Sequence, residues 1–149
     1  MNTSPAAQIV RCARCGANNR VDPARLAGGK AVCGQCKTAL SPDTKPLTIT
    51  DANFTAEVER SPLPVLLDLW AAWCGPCRII APVIEQLAAD FAGKARIGKL
   101  DVDANKITAA RFGVQSIPTL LIFKDGKEVD RIAGAQSKEA VAARLNRFV

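Results

Sequence analysis

The chain has 149 residues, 48% of them hydrophobic, and a formal net charge of +6, which suits one ordinary domain with a smaller module. It contains no histidine, which excludes Cys-His catalytic pairs and every zinc pattern that needs imidazole. The first ten residues, MNTSPAAQIV, carry no Lys or Arg, and no apolar run approaches a membrane span. We therefore expect a cytoplasmic protein rather than a membrane protein or a secreted disulfide scaffold.

Four of the six cysteines fall in the N-terminal third in two close pairs. Each C-x-x-C pair can wrap two sulfurs around one ion, and two such pairs complete a tetrahedron. The spacing C-x2-C-x17-C-x2-C is typical of a four-cysteine zinc site. Gly16 follows the first pair and Gly34 lies inside the second, where tight turns tolerate positive φ. The predicted ligands of one structural Zn²⁺ are Cys12, Cys15, Cys33 and Cys36.

The segment around these cysteines has few large apolar side chains, so it cannot form a stable core unaided. Metal binding and folding should therefore be one event, and we predict a zinc ribbon over residues 1–40 with a connecting loop at residues 22–29. Two alternatives remain open. The cysteine pairs can form a disulfide switch that loses zinc on oxidation, or, less in keeping with their surroundings, a second catalytic C-x-x-C.

Positive charge is concentrated in the same segment. Residues 1–46 carry seven Lys or Arg against two acidic residues, a net charge of +5, whereas residues 47–149 carry thirteen against twelve. Four thiolates with one Zn²⁺ would reduce the +5 to +3. Nucleic-acid binding is an alternative, but residues 1–46 contain no aromatic side chain to stack on a base, so we do not expect it.

Residues 41–46, SPDTKP, read as a linker to a second domain at residues 47–149. A short strand is predicted at residues 47–50, followed by a helix to about Glu59 that Thr50 or Asp51 caps. The apolar run at residues 65–70 predicts a fully buried strand. From Ile79 to Phe91, apolar residues recur at three- and four-residue spacing, which predicts a helix with Pro82 inside it.

The remaining two cysteines, Cys74 and Cys77, lie where that strand gives way to that helix. The first turn of a helix has unpaired N–H groups and a partial positive charge, which favour a thiolate. Cys74 is therefore the candidate nucleophile, and Cys77 lies close enough to be the resolving thiol. A bare C-x-x-C can also be half of a metal site or an incidental buried pair of cysteines.

The rest of the chain predicts a third strand at residues 96–102, a helix at 105–112, a hairpin at 119–133 with an Asp-Gly turn, and a last helix that Ser137 opens. The order of elements is βαβαβαββα. It predicts an α/β domain with a mixed central sheet and helices on both faces.

The motif WCGPC after a buried strand that contains an aspartate resembles the thioredoxin family, and more narrowly its bacterial subgroup with an N-terminal zinc ribbon. The resemblance implies the thioredoxin fold over residues 47–149. An ionised Asp68 is costly to bury between Leu67 and Leu69, so its pKa should rise, and in this family the matching aspartate exchanges a proton with the resolving cysteine. A solvent-facing Asp68 is the alternative. Lys99 resembles the family lysine that tunes this aspartate, although an ordinary exposed lysine remains open.

The resemblance also implies that the bond between Ile117 and Pro118 is cis and that this loop packs beside the cysteine pair. The Ile117 backbone would then pair with an extended client segment. The implied docking surface is flat and apolar, and its residues are Trp73, Gly75, Pro76, Ile117, Pro118 and Gly134. Arg78 stands where lysine is common in the family, so only tuning is expected.

Together these features predict a monomeric protein-disulfide reductase that works in electron transport and cell redox homeostasis. Its implied partners are disulfide-containing client proteins and an NADPH-dependent, flavin-containing thioredoxin reductase. Two alternatives remain open: a zinc-dependent adapter that uses the second domain only for docking, and, within the redox class, an oxidase or isomerase.

Overall fold

The computed structural model describes residues 7–41 and 44–149. The first six residues and positions 42 and 43 of the predicted linker lie outside this range. We call residues 7–40 the N-terminal module and residues 47–149 the C-terminal module. Within the described residues, no helix is both long enough and apolar enough to span a bilayer.

The N-terminal module is built on a two-stranded antiparallel sheet, β1 at Gln8–Arg11 and β2 at Asn18–Val21. The predicted loop at residues 22–29 is wrong in part, because Pro23–Ala27 forms a short helix, α1. Asp22 caps it by accepting a 2.9 Å hydrogen bond from the N–H of Ala24, and Pro23 supplies a φ suited to the first turn. A small buried cluster holds the module together: Val10, Cys12, Val21, Leu26, Ala31, Cys33 and Leu40.

The C-terminal module contains a five-stranded mixed sheet in the order β3-β5-β4-β6-β7. Strand β4 runs parallel to β5 on one side and antiparallel to β6 on the other. The strands are β3 at Leu47–Thr48, β4 at Val65–Trp70, β5 at Arg96–Asp101, β6 at Thr119–Lys124 and β7 at Lys127–Ala133. The predicted mixed sheet and its strand order along the chain are confirmed.

Three α-helices cover this sheet on both faces: α2 at Gly75–Asp90, α3 at Lys106–Arg111 and α4 at Lys138–Leu145. One core lies under α2 and α4, where Leu66 and Ile122 from the sheet meet Ile84 and Leu145. A second core lies on the opposite face, where Phe54, Phe112 and Phe123 pack ring against ring with centroids 5.2 to 5.7 Å apart. Strand β4 is buried between them, which explains why all its residues except Asp68 are apolar.

The first predicted helix of this module differs from expectation. Residues Thr55–Glu59 form a π-helical segment rather than an α-helix. Thr50 accepts a 3.2 Å hydrogen bond from the N–H of Asn53 in the turn before this segment and does not cap the segment itself. Asp51, however, caps α3 instead, since its carboxylate accepts hydrogen bonds from the N–H groups of Ile107 and Thr108. Asp51 therefore caps a helix that is distant in sequence rather than the helix next to it, which the local pattern predicted it would cap.

The hairpin and the last helix form as predicted. Asp125 and Gly126 have φ values of 53° and 80°, the left-handed conformation that a tight two-residue hairpin turn requires. Ser137 caps α4 by accepting a 3.2 Å hydrogen bond from the N–H of Ala140.

The two modules meet at the end of the sheet where β4 and β5 begin. Arg96 is the first residue of β5 and the register partner of Val65, the first of β4. Its guanidinium donates a 2.8 Å hydrogen bond to Asn18 in the N-terminal module. Both strands run away from this contact to Trp70 and Asp101, so the N-terminal module lies at the end of the sheet opposite to the one that leads into Cys74.

Candidate active site and metal centre

Cys74 lies at the tip of helix α2. Strand β4 ends at Trp70, and α2 begins at Gly75, so Cys74 is the residue that caps the helix. Its backbone is extended, and its sulfur accepts a 3.2 Å hydrogen bond from the N–H of Cys77. The position predicted from the sequence is therefore confirmed: the sulfur faces the unpaired N–H groups and the positive end of the helix dipole.

Cys74 and Cys77 form a disulfide, with their Cα atoms 5.3 Å apart. The pair is buried against Ala71, with Trp70, Val102 and Ile117 packed around it. The structure thus describes the oxidised state of a dithiol that one helical turn holds within bonding distance.

A loop from the start of β6 packs directly on Cys74. The bond between Ile117 and Pro118 is cis, as the resemblance implied. The carbonyl oxygen of Ile117 lies 3.7 Å from the Cys74 sulfur, and the carbonyl of Pro118 accepts a 2.9 Å hydrogen bond from the N–H of Gly134. This contact brings Gly134 to the same rim as the cysteine pair.

Asp68 is fully enclosed beneath the site, with 1% of its surface exposed. Neither of its carboxylate oxygens accepts a hydrogen bond from the part of the chain that the structure describes. Burial raises the pKa of Asp68 to about 6, and the positive charge of Lys99 partly opposes that rise. The solvent-facing alternative is therefore wrong, because β4 lies at the centre of the sheet.

Asp68 and Cys77 line the same cleft. Asp68, Cys77 and Lys99 line it together, with Trp70 and Arg78 at its sides. Lys99 is the register partner of Asp68 on β5, and its ammonium lies 5.1 Å from the centroid of the Trp70 ring. The arrangement places a carboxyl group, the Cys77 side of the disulfide and an ammonium group around a shared space, and the roles assigned to Asp68 and Lys99 stay predictions.

The rim of the site is exposed and apolar. Trp73 has 70% of its surface exposed, and its indole N–H donates a 2.8 Å hydrogen bond to Asp103. Sequence reasoning missed Asp103, although its place two residues after β5 was the available signal. Arg78 donates a 2.8 Å hydrogen bond to the carbonyl of Ala72 and so braces the turn before Cys74.

The four N-terminal cysteines come together as predicted. Their sulfurs lie within 4.8 Å of one another, and two pairs, Cys12 with Cys36 and Cys15 with Cys33, are each 3.6 Å apart. A tetrahedral ion with Zn–S bonds of about 2.3 Å requires sulfurs about 3.8 Å apart. The cluster therefore fits the metal site of a zinc ribbon, and these four residues can hold one ion.

Both cysteine pairs adopt the same tight turn. The N–H of Gly16 bonds to the carbonyl of Cys12 at 2.9 Å, and the N–H of Lys37 bonds to that of Cys33 at 3.0 Å. Gly16 has a φ of 79°, as expected, but in the second turn the positive φ of 64° belongs to Lys37. The prediction for Gly34 is wrong because the left-handed residue follows the pair rather than lying inside it.

Hydrogen-bond donors surround Cys33. The N–H groups of Cys36 and Gln35 and the side chain of Asn19 lower the pKa of Cys33 to about 6, although burial opposes this. Asn19 Nδ2 lies 3.6 Å from the sulfur, and its Oδ1 accepts a 2.9 Å hydrogen bond from Gly34. No local pattern pointed to Asn19, which lies on β2. Such donors favour the thiolate that a metal requires.

A helix-tip cysteine, a bonded partner one turn away and a cis-proline loop beside them define a class, the thiol–disulfide oxidoreductases. The chain matches the family model "Thioredoxin" over residues 45–147. It is 56% identical over 101 residues to the thioredoxins of Staphylococcus aureus strains Mu50 and MW2, an alignment that covers 68% of this chain and 95% of each relative. The chain belongs to the thioredoxin family, and its C-terminal module is a thiol–disulfide oxidoreductase of that family.

Proposed function

We propose that this protein is a cytoplasmic protein-disulfide reductase of the zinc-ribbon subgroup known as thioredoxin 2. The observation that carries the proposal is the position of Cys74. Its sulfur meets the N–H of Cys77 at the start of α2 and is already joined to Cys77. A thiolate held there can attack, and the neighbouring thiol can finish the exchange without leaving the site.

The reaction begins with reduced Cys74. Its thiolate attacks one sulfur of a client disulfide, a bond forms between Cys74 and that sulfur, and the other client sulfur leaves as a thiolate. Cys77 then loses its proton to Asp68 and attacks Cys74 in the mixed disulfide. The second client sulfur leaves, and Cys74 and Cys77 remain as the disulfide. Two electrons have moved from the protein to the client.

Asp68 suits the proton transfer because it has no competing hydrogen-bond partner among the described residues and shares a cleft with Cys77. A pKa of about 6 leaves it mostly ionised at neutral pH, so it can accept a proton. Lys99, its neighbour on β5, favours the ionised form.

The client is held by the rim rather than by a deep pocket. Ile117 lies against Cys74, so its backbone can pair with an extended client segment. The exposed Trp73 ring and the unhindered Gly75 and Gly134 leave room for client side chains of many shapes. Pro76 is exposed and extends this surface, whereas Pro118 is buried and supports it from below. Such a surface favours a broad range of clients over one substrate.

Regeneration requires an outside reductant, because the client has taken two electrons. We assign this step to a flavin-containing thioredoxin reductase that uses NADPH, the partner with which the family generally works. The N-terminal module holds one structural Zn²⁺ through Cys12, Cys15, Cys33 and Cys36. Oxidation of these four thiols is expected to release the metal.

The direct test is NADPH-coupled reduction of insulin in the presence of a thioredoxin reductase. We expect the intact protein to reduce insulin, and Cys74→Ser to abolish the activity. Cys77→Ser should instead accumulate a mixed disulfide with the client through Cys74. An intact protein that is inactive, and that serine at either position leaves unchanged, would support the adapter function instead.

A further inference from the structure

A buried carboxylate joins the two modules. Glu57 belongs to the π-helical segment of the C-terminal module, yet its two oxygens accept hydrogen bonds of 2.9 and 2.8 Å from Nε of Arg11 in β1. Arg96 approaches the same carboxylate to 3.7 Å and donates a 3.2 Å hydrogen bond to the Glu57 carbonyl. Glu57 and Arg96 are only 8% and 6% exposed, and the Arg11 side chain is 20% exposed, so this cluster is a largely buried contact.

Two residues on one rung of the N-terminal module's sheet form hydrogen bonds with Glu57 and Arg96. Arg11 and Asn18 are register partners at the end of β1 and β2. Arg11 contacts Glu57, and Asn18 accepts a 2.8 Å hydrogen bond from Arg96. The contact that Arg11 and Asn18 make with the C-terminal module therefore depends on the pairing of β1 with β2.

That rung adjoins the metal site on both strands. Cys12, a predicted metal ligand, follows Arg11 directly, and Asn19, which lies 3.6 Å from the Cys33 sulfur, follows Asn18. Arg11 and Asn18 thus lie at the end of the sheet, next to the four-cysteine site and against the C-terminal module. Without the metal, a module with so small a core loses the geometry that holds the rung together.

We infer that Glu57 and Arg96 form a docking site for the metal-loaded N-terminal module, so that metal binding and docking are energetically coupled. The inference rests on the proposed zinc site and not on the redox reaction. Removing the Glu57 carboxylate takes a largely buried ionic contact away from both arginines, which is costly. Coupling is reciprocal: docking strengthens metal binding by the factor by which the metal strengthens docking, so loss of docking through a change at Glu57 should weaken metal binding by up to that factor.

The test measures zinc affinity by chelator competition in the full chain. A Cys74→Ser, Cys77→Ser background leaves the four N-terminal cysteines as the chain's only thiols. Glu57→Ala should weaken zinc binding at least about fivefold, the lower end of typical coupling. Glu59→Ala is the matched control, because Glu59 lies in the same segment but pairs with Arg111 within the C-terminal module. It should bind zinc as the parent does.

A second measurement uses tryptophan fluorescence of the full chain. This signal reports unfolding of the C-terminal module, because both tryptophans, Trp70 and Trp73, lie there. Zinc removal should lower the unfolding midpoint seen by tryptophan fluorescence in the parent and in Glu59→Ala, and less so in Glu57→Ala. Where Glu57→Ala does not fold, the isosteric Glu57→Gln replaces it and should lose part of the coupling.

The coupling is overturned if the folded Glu57 variants bind zinc as tightly as the parent does. It is also overturned if zinc removal lowers the unfolding midpoint equally in the parent and in these variants. Either result leaves the zinc site itself intact. A parent that binds no zinc overturns both. Insulin reduction by the parent reports on the redox proposal independently of either outcome.

Discussion

Asp68 and Lys99 are direct neighbours on the parallel strands β4 and β5, and both line the cleft that reaches Cys77. The lysine lowers the pKa of the aspartate, yet burial outweighs it and the pKa stands at about 6. The site thus keeps a carboxylate at a cost, which the proposed proton transfer explains and packing does not.

That cost predicts a pH-dependent gain in stability for Asp68→Asn in the oxidised protein. The folded pKa exceeds the unfolded value near 3.8, so the parent loses stability as the pH rises from there through about 6. Above that range the variant should be more stable by up to about 3 kcal/mol, and at pH 3 the two should be alike. Urea unfolding at pH 3 and at a pH above that range measures the difference in the free energy of unfolding.

Asp130→Asn is the contrasting control for this experiment. In the parent, a hydrogen bond from Arg144 lowers the pKa of Asp130. The stability that the ionised carboxylate contributes is therefore present at neutral pH and lost in acid. Asp130→Asn should therefore be less stable than the parent at neutral pH. An Asp68→Asn variant that behaves in the same way would contradict the buried, costly carboxylate.

Client docking at the rim predicts that Gly134→Leu impairs reduction of proteins more than reduction of small disulfides. Gly134 has a φ of 82° and nothing within 4 Å of an added Cβ, so the leucine would project from the rim where the client segment lies. We expect KM for insulin to rise several-fold while the rate with a small aromatic disulfide changes little.

Gly113→Leu supplies the control, because Gly113 is also left-handed, with a φ of 60°, and open, but lies outside the docking surface. Both variants place a leucine at a left-handed position, which costs about 1–2 kcal/mol of backbone strain. Equal losses in the two variants would attribute the effect to strain and would rule out docking at Gly134.

The metal site predicts one zinc per chain in the protein as isolated. Peroxide should release it as the four N-terminal thiols are oxidised, and a thiol reductant with added zinc should restore it. Metal analysis with thiol counting before and after treatment measures both. Native protein without metal contradicts the site, and zinc retained by oxidised thiols contradicts the release.

Much of the site could be predicted because its signals are local. The cysteine pairs, the strand before Cys74 and the Asp-Gly turn each lie within a few residues in sequence. One error arose where a distant contact decides, because Asp51 caps a helix more than fifty residues away. Another error is local: within the second cysteine turn, the left-handed residue is Lys37 and not Gly34. The link between Arg11 and Glu57 spans 46 positions and has no local pattern at all.

The reactivity of Cys74 in the reduced protein tests the central claim most directly. Its alkylation rate as a function of pH should show a midpoint well below the value of about 8.5 for a free thiol, because the sulfur caps a helix. Cys77→Ser serves for the measurement, since it removes the neighbouring thiol. A midpoint at the free-thiol value would contradict the account of Cys74 as the attacking thiolate.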